Sequence, residues 1–360
     1  MAPKTADKGK DEPGKDEPGE DGGRLGEYRR KRDAGRTPEP VPSGEAALPR
    51  GDDDTFVIQE HHARSLHWDL RLERDGVLVS WAVPKGVPPD PKVNHLAVHT
   101  EDHPLEYAAF EGDIPRGEYG AGSMTIWDRG TYETEKWSDR EVMIVLHGSR
   151  VSGRYVLFRT GGKNWMIHRM DPPADPDAEP LPERLRPMRP AERARLPRDQ
   201  ASFGFEFAWG GRRLLAYVEG GRTRFTDGRA REVGGPAGLG GPAGLGGPLG
   251  RALGARPAVL DGELAQVDGR ETYLIFDLLH LDGHPLLDRP YEERRDLLDG
   301  LGLSGPRWQT TPWFPGDGGA VRETARLQGL PGVLAKRLGS PYRPGEQSDA
   351  WRLIPVRKSQ

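Results

Sequence analysis

The stretch QEHHARSLHWDLRLE, residues 59–73, indicates most directly how the first half of the chain folds. Successive side chains of a β-strand point to opposite faces of the sheet. From residue 66 onward the pattern predicts a polar face with His67, Asp69 and Arg71, and an apolar face with Leu66, Trp68, Leu70 and Leu72. The apolar face indicates packing against a core. The polar face places an imidazole, a carboxylate and a guanidinium in one row.

Segments of the same kind surround this stretch. TFVIQE runs into its start, and VLVSWAVP, HLAVHT, SMTIWD, VMIVLHG and RYVLFRT follow it, joined by glycine-containing turns such as ERDG and DRGT. Many short strands at this spacing are typical of a β-barrel or a β-sandwich. We therefore expect residues 25–170 to form a mostly antiparallel β-domain.

The composition of two other segments predicts little regular structure. Residues 1–24 contain the near-repeat KDEPGKDEPGE and have too little apolar surface to offset the entropy lost on folding, so we expect a disordered charged tail. Residues 171–200 are dense in proline and charge. This composition is typical of a linker, and we expect at most one short helical stretch in it, at residues 191–196.

A second folded region is predicted at residues 201–357. Strand patterns such as AVLDGELAQV and TYLIFDLLHLDG are followed by helical patterns at residues 291–301 and 320–328. The Gly/Pro-rich repeat at residues 233–250 is unsuited to helix or sheet, and we expect it to be a flexible surface insertion. The whole chain is therefore expected to be a two-domain α+β protein.

Composition excludes several classes of protein. The chain has 52 basic and 56 acidic residues, so net charge alone does not argue for a nucleic-acid partner. It has no cysteine, which excludes disulfides and thiolate metal sites. It lacks an apolar run of the roughly 18 residues that a membrane span requires, and its charged N-terminus predicts no signal peptide. We expect a cytoplasmic protein.

The first candidate site combines His61 with the polar face of the predicted strand. A turn through residues 63–65 would return His61 beside His67 and Asp69 as a third ligand. Two imidazoles and a carboxylate favour a cation such as Mn²⁺, and Zn²⁺ and Co²⁺ accept the same ligand types. Arg71 has the fork geometry that matches phosphate oxygens. The alternative is an ordinary strand whose outer face is polar.

A second polar cluster follows in LAVHTEDHPLEYAAFEG, residues 96–112. Here His103 can donate a proton to a leaving oxygen or contact a phosphate, and Tyr107 can orient the same group. For His99 we favour a structural hydrogen bond.

With these motifs in place, residues 25–170 resemble the 3′-phosphoesterase domain of bacterial DNA ligase D. The resemblance covers EYRRKRDAGRTPEP, FVIQEHHARSLHWDLRLERDGVLVSWAVPKG, LAVHTEDHPLEYAAFEGDIPRGEYGAG and IWDRGTYE. It implies a compact β-barrel with a Mn²⁺-dependent site that trims a 3′-terminal ribonucleotide to a 3′-phosphate and then removes the phosphate. It further implies DNA repair by non-homologous end joining, and a place at the nucleoid.

The same resemblance implies the roles of individual residues. The metal ligands would be His61, His67 and Asp69, while Arg71 and His103 would contact the scissile phosphate with Tyr107 beside them. Substrate contacts and supporting positions would fall on Arg32, Asp33, Glu39, Gln59, Lys85 and Glu101.

The second region resembles the adenylyltransferase domain of ATP-dependent DNA ligases, with an ATP-grasp-like nucleotidyltransferase fold. The motifs are VLDGELAQVD, YLIFDLLHLDG and GVLAKRLGSPYRPGEQSDAW. The family's Lys-x-Asp-Gly motif would fall on residues 208–211, where the chain has Ala208 and Gly210 in place of the lysine and aspartate. An alanine methyl cannot form a phosphoramidate. The resemblance also implies residues that contact metal and triphosphate. At those positions the chain has Pro331, Leu353 and Pro355.

Other positions of that nucleotide pocket persist, namely Arg213, Glu263, Phe276 and Lys336. The chain ends where a ligase would continue into its OB-fold domain, which we expect to be lacking. The domain is then either a module that binds DNA ends or a repair protein, or a remnant that still folds.

Three hypotheses follow. The leading one is an enzyme that processes DNA 3′ ends or primer-templates in a metal-dependent reaction. The second is a non-catalytic adaptor that holds DNA ends or a partner such as Ku. The third is an ATP-dependent ligase, and the substitution at Ala208 makes this hypothesis the weakest of the three. If the chain is not a ligase, a separate DNA ligase would seal the processed ends.

Overall fold

The computed structural model describes residues 23–42, 51–233, 245–254 and 256–356. The predicted disordered tail, residues 1–24, lies almost entirely outside these ranges, as does most of the predicted insertion at residues 233–250. Among the described residues, no helix is long and apolar enough to cross a membrane.

The first region is a closed antiparallel β-barrel. Eight strands follow one another around it in the order β1-β2-β3-β4-β9-β8-β7-β6, and the pairing of β6 with β1 closes the ring. The short strand β5 pairs with β6. The bounds are β1 Thr55–His62, β2 Leu66–Arg74, β3 Val77–Val83, β4 Asn94–His99, β5 Gly112–Ile114, β6 Gly122–Trp137, β7 Glu141–Gly148, β8 Ser152–Gly161 and β9 Asn164–Arg169. The predicted antiparallel β-barrel is confirmed.

The alternation read from the sequence decides which side chains fill this barrel. The core contains the apolar face of β2 together with Phe56 and Ile58 of β1. Trp68 is 1% exposed, so its replacement by alanine should cost about 3–5 kcal/mol. Since neighbouring side chains alternate, the polar side chains of β2 lie on the outer wall.

A cover over the outer wall buries these polar side chains. It consists of the helix α1, Gly26–Arg30, with the segment that follows it to residue 42, and of a 3-10 helix, Leu105–Ala109. Tyr28 and Tyr107 from the two parts pack with Leu78 of β3 in a second, smaller apolar cluster. The polar face of β2 is therefore enclosed between the barrel and its cover.

The second region combines two sheets with three helices, as the predicted α+β class requires. One sheet has the order β10-β22-β21-β11-β20 and the other β14-β13-β12-β15-β16-β19-β18, with β17 beside β16. The strands are β10 Arg189–Glu192, β11 Phe203–Ala208, β12 Arg212–Glu219, β13 Arg222–Asp227, β14 Glu232–Val233, β15 Ala258–Val267, β16 Arg270–Leu281, β17 His284–Pro285, β18 Ser304–Gly305, β19 Trp308–Thr310, β20 Phe314–Pro315, β21 Gly332–Arg337 and β22 Gln347–Pro355. The helices are α2 Gly246–Leu253, α3 Tyr291–Gly300 and α4 Gly318–Leu327, and a 3-10 helix spans Gln200–Ser202.

The helix α2 corrects the interpretation of the Gly/Pro-rich repeat, whose last residues were expected to be irregular. Leu245, Leu249 and Leu253 recur at intervals of four residues and are at most 4% exposed. They pack in one core with Phe225 of β13. Burial of this leucine stripe stabilises a helix that the local glycines disfavour.

Residues 191–196, where at most a short helical stretch was predicted, contain no helix. Residues 189–192 form β10, which pairs in parallel with β22. Pro190 disfavours helical backbone at the residue before it, and the edge of β22 supplies hydrogen-bond partners for an extended chain. The last part of the predicted linker is therefore built into the second region.

Candidate metal and phosphate site

The first element of the site is the hairpin of β1 and β2. Its register sets His61 directly opposite His67 and Gln59 opposite Asp69. The Asp69 carboxylate lies between the two imidazoles, 3.6 Å from His61 Nδ1 through Oδ2 and 3.6 Å from His67 Nε2 through Oδ1. One potential ligand atom of each residue lies within 4.8 Å of the others. The sequence prediction that a short turn brings these three together is confirmed.

The remaining ring nitrogens of both histidines contact backbone carbonyls. His61 Nε2 is 2.8 Å from the oxygen of Gly120, and His67 Nδ1 is 3.0 Å from the oxygen of Ser65. A carbonyl only accepts hydrogen bonds, so these nitrogens carry the ring protons. His61 Nδ1 and His67 Nε2 then face the Asp69 carboxylate. Such outer hydrogen bonds are typical of histidines that bind metal, and the donor set fits a divalent cation.

Arg71 lies next to this triangle and is 2% exposed. Its guanidinium donates to Gln59 Oε1 at 2.7 Å, Ser80 Oγ at 2.9 Å and Asp69 Oδ2 at 2.9 Å. Burial alone would raise the pKa of Asp69, but the charge of Arg71 and the neighbouring imidazoles outweigh it and hold that pKa below its ordinary value. The carboxylate is therefore ionised and available as a ligand.

His103 lies near Arg71, at the edge of β3 that does not pair with β2. Its Nδ1 is 2.8 Å from the backbone oxygen of Glu101, so Nδ1 carries the proton and Nε2 has the lone pair. The NH2 group of Arg32 is 3.4 Å from that Nε2 atom. Burial lowers the pKa of His103 well below its ordinary value, and the charges of Arg71 and Arg32 lower it further. His103 is therefore neutral in the free protein.

The cover closes the site with a buried network of charges. Arg32 donates to Glu39 at 2.8 Å and to Glu101 at 3.0 Å, and its guanidinium lies 3.9 Å from the centre of the Tyr28 ring. The Tyr107 hydroxyl donates to Glu39 at 2.8 Å. Three predicted residues of the cover, Arg32, Glu39 and Tyr107, thus join the cluster around Arg71 and His103, as does Glu101 from the segment after β4.

Two predicted substrate contacts lie apart from this network. The Asp33 side chain is in an exposed turn, where it accepts from the backbone N–H of Gly35 at 2.9 Å. Lys85 follows the end of β3, and its exposed ammonium pairs with Glu219 of the second region at 3.4 Å.

Sequence reasoning missed Ser80, which is 1% exposed and links the two halves of the site. Its hydroxyl oxygen accepts from Arg71 and lies 3.4 Å from His103 Nδ1. The only signal was a single hydroxyl within the apolar run VLVSWAV. Lys31 was missed as well; it pairs with Glu101 at 3.0 Å.

The positions that the sequence predicts to be substituted ligase motif residues lie at one end of the five-stranded sheet. Ala208, at the end of β11, is opposite Gly332 of β21, which is opposite Pro355 of β22. Leu353 is opposite Leu334 in the same pair of strands. Gly210 has a φ of 71°, and a Cβ atom added there would lie 3.1 Å from Pro331 Cγ. This end of the sheet is lined by small and apolar groups.

The residues predicted to remain from the nucleotide pocket contact other side chains of the second region. Lys336 is fully buried, 2.8 Å from the carboxylate of Glu206, and its ammonium lies 4.4 Å from the centre of the Phe276 ring. Burial lowers the pKa of Lys336. Arg213 donates to both carboxylate oxygens of Asp261, at 2.6 and 2.5 Å. Glu263 is also enclosed, and burial raises its pKa.

Comparison with known proteins identifies the families that the two regions match. Residues 59–159 match the family described as the DNA Ligase D 3′-phosphoesterase domain, and residues 263–353 match the ATP dependent DNA ligase domain. A LigD described as a multifunctional non-homologous end joining DNA repair protein, from Mycobacterium tuberculosis, is 44% identical over 91% of this chain and 44% of its own length. The chain is homologous to mycobacterial LigD.

Further relatives extend the same likeness. LigD of Pseudomonas aeruginosa is 33% identical over 90% of this chain and 46% of its own length. The solved ligase domain of M. tuberculosis LigD is 29% identical, with a TM-score of 0.42, over 48% of this chain and 59% of that one. The chain thus spans less than half the length of these two LigD relatives, and it contains a DNA ligase D 3′-phosphoesterase domain followed by an ATP-dependent ligase domain.

Proposed function

We propose that this protein is a metal-dependent phosphoesterase that processes DNA 3′ ends, removing a terminal ribonucleoside and then the remaining 3′-phosphate. Residues 25–170 are the proposed catalytic domain. The observation that carries the proposal is the triangle of His61, His67 and Asp69, whose potential ligand atoms lie within 4.8 Å of one another beside Arg71, while the outer ring nitrogens of both histidines contact backbone carbonyls.

We propose that the triangle holds Mn²⁺. When bound, the cation would neutralise negative charge that builds on the phosphate oxygens. Arg71 supplies further positive charge from a fixed position, because Gln59 and Ser80 orient its guanidinium before any substrate arrives. Groups that are oriented in advance cost no reorganisation during the reaction.

His103 is the proposed acid for the leaving oxygen. It is neutral in the free protein because burial, Arg71 and Arg32 disfavour its charge. A bound phosphate would offset the charge of both arginines and raise the pKa of His103, which could then take up a proton at Nε2 and donate it. Substrate binding itself would prepare the acid.

The cover and Glu101 together form the proposed contact for the ribonucleoside step. Arg32, Glu39, Glu101 and Tyr107 supply buried donors and acceptors next to the phosphate position. Hydroxyls of a terminal ribose can exchange hydrogen bonds with such groups.

We further propose that the second region does not transfer adenylate. A nucleophile is absent at Ala208, and the neighbouring positions on the same sheet end are Gly210, Pro331, Leu353 and Pro355. Incubation with radiolabelled ATP should give no covalent AMP adduct, and a labelled band would contradict this proposal. The processed 3′-OH would then pass to a separate ligase in end joining at DNA breaks, with Ku as a candidate partner.

The enzymatic proposal is tested with primer-templates that end in a 3′-phosphate or a 3′-ribonucleotide. We expect purified protein to convert both to a 3′-OH with Mn²⁺ and not in EDTA. His103→Ala should lose this activity, while His147→Ala, at an exposed histidine of β7, should retain it. Binding of DNA ends without metal-dependent turnover would favour an adaptor instead.

A further inference from the structure

An exposed aromatic ring lies beside the metal and phosphate site. Tyr119 is 48% exposed and belongs to residues 115–121, between β5 and β6, which we call the platform loop. The next residue, Gly120, has its backbone oxygen 2.8 Å from His61 Nε2. The loop that carries the ring therefore contacts a proposed metal ligand directly.

Hydrogen bonds and an ion pair hold the platform loop in place. The backbone N–H of Glu118 donates to the oxygen of Pro115, and that of Ala121 donates to the oxygen of Glu118, each at 3.2 Å. The Glu118 carboxylate pairs with Arg36 of the cover at 2.8 Å. The loop is thus attached both to the barrel and to the cover, and Tyr119 lies between the two attachments.

Two cations of the cover contact the Tyr119 ring. The Lys31 ammonium is 4.4 Å from the ring centre and 3.2 Å from the hydroxyl oxygen, and the Arg32 guanidinium is 5.5 Å from the ring centre. Among the described residues, the side chain of Tyr119 has no other hydrogen-bond or ring contact. Both cations are themselves paired with Glu101 at 3.0 Å. The ring is therefore oriented by the cover while nearly half of the residue stays accessible to a ligand.

The same arginine connects the ring with the proposed acid, since the NH2 group of Arg32 is 3.4 Å from His103 Nε2. In the first step of the proposed reaction, water attacks the phosphorus and the bond to the 5′ oxygen of the terminal ribonucleoside breaks. That oxygen takes the proton from His103. The leaving ribonucleoside then lies on the side of His103 and Arg32, which is also the side of the Tyr119 ring.

Two unpaired guanidiniums lie in the loops next to the metal ligands. Arg64 is in the turn between β1 and β2, and Arg116 is in the platform loop; both are exposed, and neither has an ion pair within the described part of the chain. The two loops approach closely, because a Cβ atom added to Gly122 would lie 2.4 Å from the backbone oxygen of His62. Unpaired surface cations of this kind attract the phosphates of a nucleic-acid strand.

From this juxtaposition we propose that Tyr119 stacks on the base of the terminal ribonucleoside, while Arg64 and Arg116 contact phosphates of the strand. Stacking on an aromatic side chain is tolerant of base identity, because every base has a π-face. The platform loop would therefore hold the leaving nucleoside by its base, and the cover would hold it by its ribose. The inference rests on the proposed function, since it takes a terminal ribonucleoside to be the leaving group.

The test compares three primer-template ends with Mn²⁺: a 3′-ribonucleotide, a 3′-terminal ribose without a base, and a 3′-phosphate. In Tyr119→Ala, we expect kcat/KM for the ribonucleotide end to fall about tenfold relative to the other two ends, the range expected for one stacked base. Tyr119→Phe keeps the ring and should keep the wild-type ratio. An equal fall on all three ends would mean that the ring only supports Lys31 and Arg32, and would overturn the stacking.

A pair of arginine variants tests the phosphate contact. Arg116→Gln should weaken binding of a fluorescein-labelled primer-template and reduce the slope of log affinity against log salt concentration by about 1. The control is Arg140→Gln, at an exposed arginine in the turn at the other end of β6, which should change neither quantity. Equal changes in the two variants would contradict the contact.

Binding in EDTA separates the stacking from the proposed function, because it needs no turnover. If the wild type removes a 3′-phosphate with Mn²⁺ but binds the ribonucleotide end and the baseless end equally, the stacking is wrong and the proposed function stands. If turnover is absent, but the wild type prefers the ribonucleotide end and Tyr119→Ala does not, the stacking stands and the proposed function fails.

Discussion

The barrel and the second region differ in how their buried charged groups are directed. In the barrel, potential ligand atoms of His61, His67 and Asp69 lie within 4.8 Å of one another beside Arg71. In the second region, Lys336 pairs with Glu206, and Arg213 pairs with Asp261. The barrel contains a cluster of potential metal ligands, whereas Lys336 and Arg213 of the second region form ion pairs with neighbouring carboxylates. A domain can therefore have the fold of an enzyme without a reactive arrangement of side chains.

The largest expected effect is the loss of a proposed metal ligand. The His67 side chain is 22% exposed, so His67→Ala removes little packing. We expect turnover of a 3′-phosphate primer to fall at least about 1000-fold, or ~4 kcal/mol in barrier, because charge on the phosphate would lose its main counter-charge. A steady-state assay measures this, and binding of Mn²⁺ by electron paramagnetic resonance should fall in parallel. Normal turnover in His67→Ala would show that the proposed metal ligands of the barrel are not needed for the reaction.

The second effect concerns stability in the other region. Lys336 and Glu206 are at most 2% exposed at a separation of 2.8 Å. Glu206→Gln should reduce the free energy of unfolding of this region by about 3 kcal/mol, since the buried ammonium loses its counter-charge. Urea unfolding measures the change, with Glu323→Gln at an exposed helix pair as the control. Phosphatase activity should not change, and a matching fall in activity would show that the two regions are not independent.

A smaller effect is expected within the barrel at Ser80, which positions Arg71 and His103. Ser80→Ala should lower kcat about tenfold with little change in KM, the size expected when an orienting hydrogen bond is lost. Ser80→Thr should recover part of the rate, and Ser152→Ala on β8 is the control. A change confined to KM would mean that Ser80 contributes to binding and not to positioning.

The smallest effect is expected where the missing ligase motif is restored. Ala208→Lys combined with Gly210→Asp should still give no AMP adduct, because Pro331, Leu353 and Pro355 leave phosphate and metal contacts unfilled. An aspartate at position 210 must also adopt a φ of 71° next to Pro331. Labelling with radioactive ATP measures this. An adduct would show that the region lacks only the lysine and the aspartate of the motif, and its difference from a reactive site would narrow to two residues.

The local sequence pattern predicted those parts of the site that lie on a single β-hairpin. Alternation on β2 and a short turn suffice to bring His61, His67 and Asp69 together, and both are visible in the sequence. Contacts across the barrel carry no such signal. The resemblance named Arg32, Glu39 and Glu101 as site residues, but their mutual pairing depends on how the cover crosses β3.

Tertiary packing explains the elements that sequence reasoning missed. The helix α2 forms in a glycine-rich repeat because three leucines bury one face against β13. The strand β10 forms in a proline-rich segment because β22 has a free edge there. Ser80 was overlooked because one hydroxyl in an apolar strand has many structural explanations. In each case the deciding partner is distant in sequence.

The most direct test of the central claim is release of phosphate from a 3′-phosphate primer-template by the wild type and by His61→Ala, each with Mn²⁺ and with EDTA. We predict rapid release by the wild type with Mn²⁺, and none in EDTA or from His61→Ala. Equal release by the two proteins would contradict the assignment of catalysis to this barrel site.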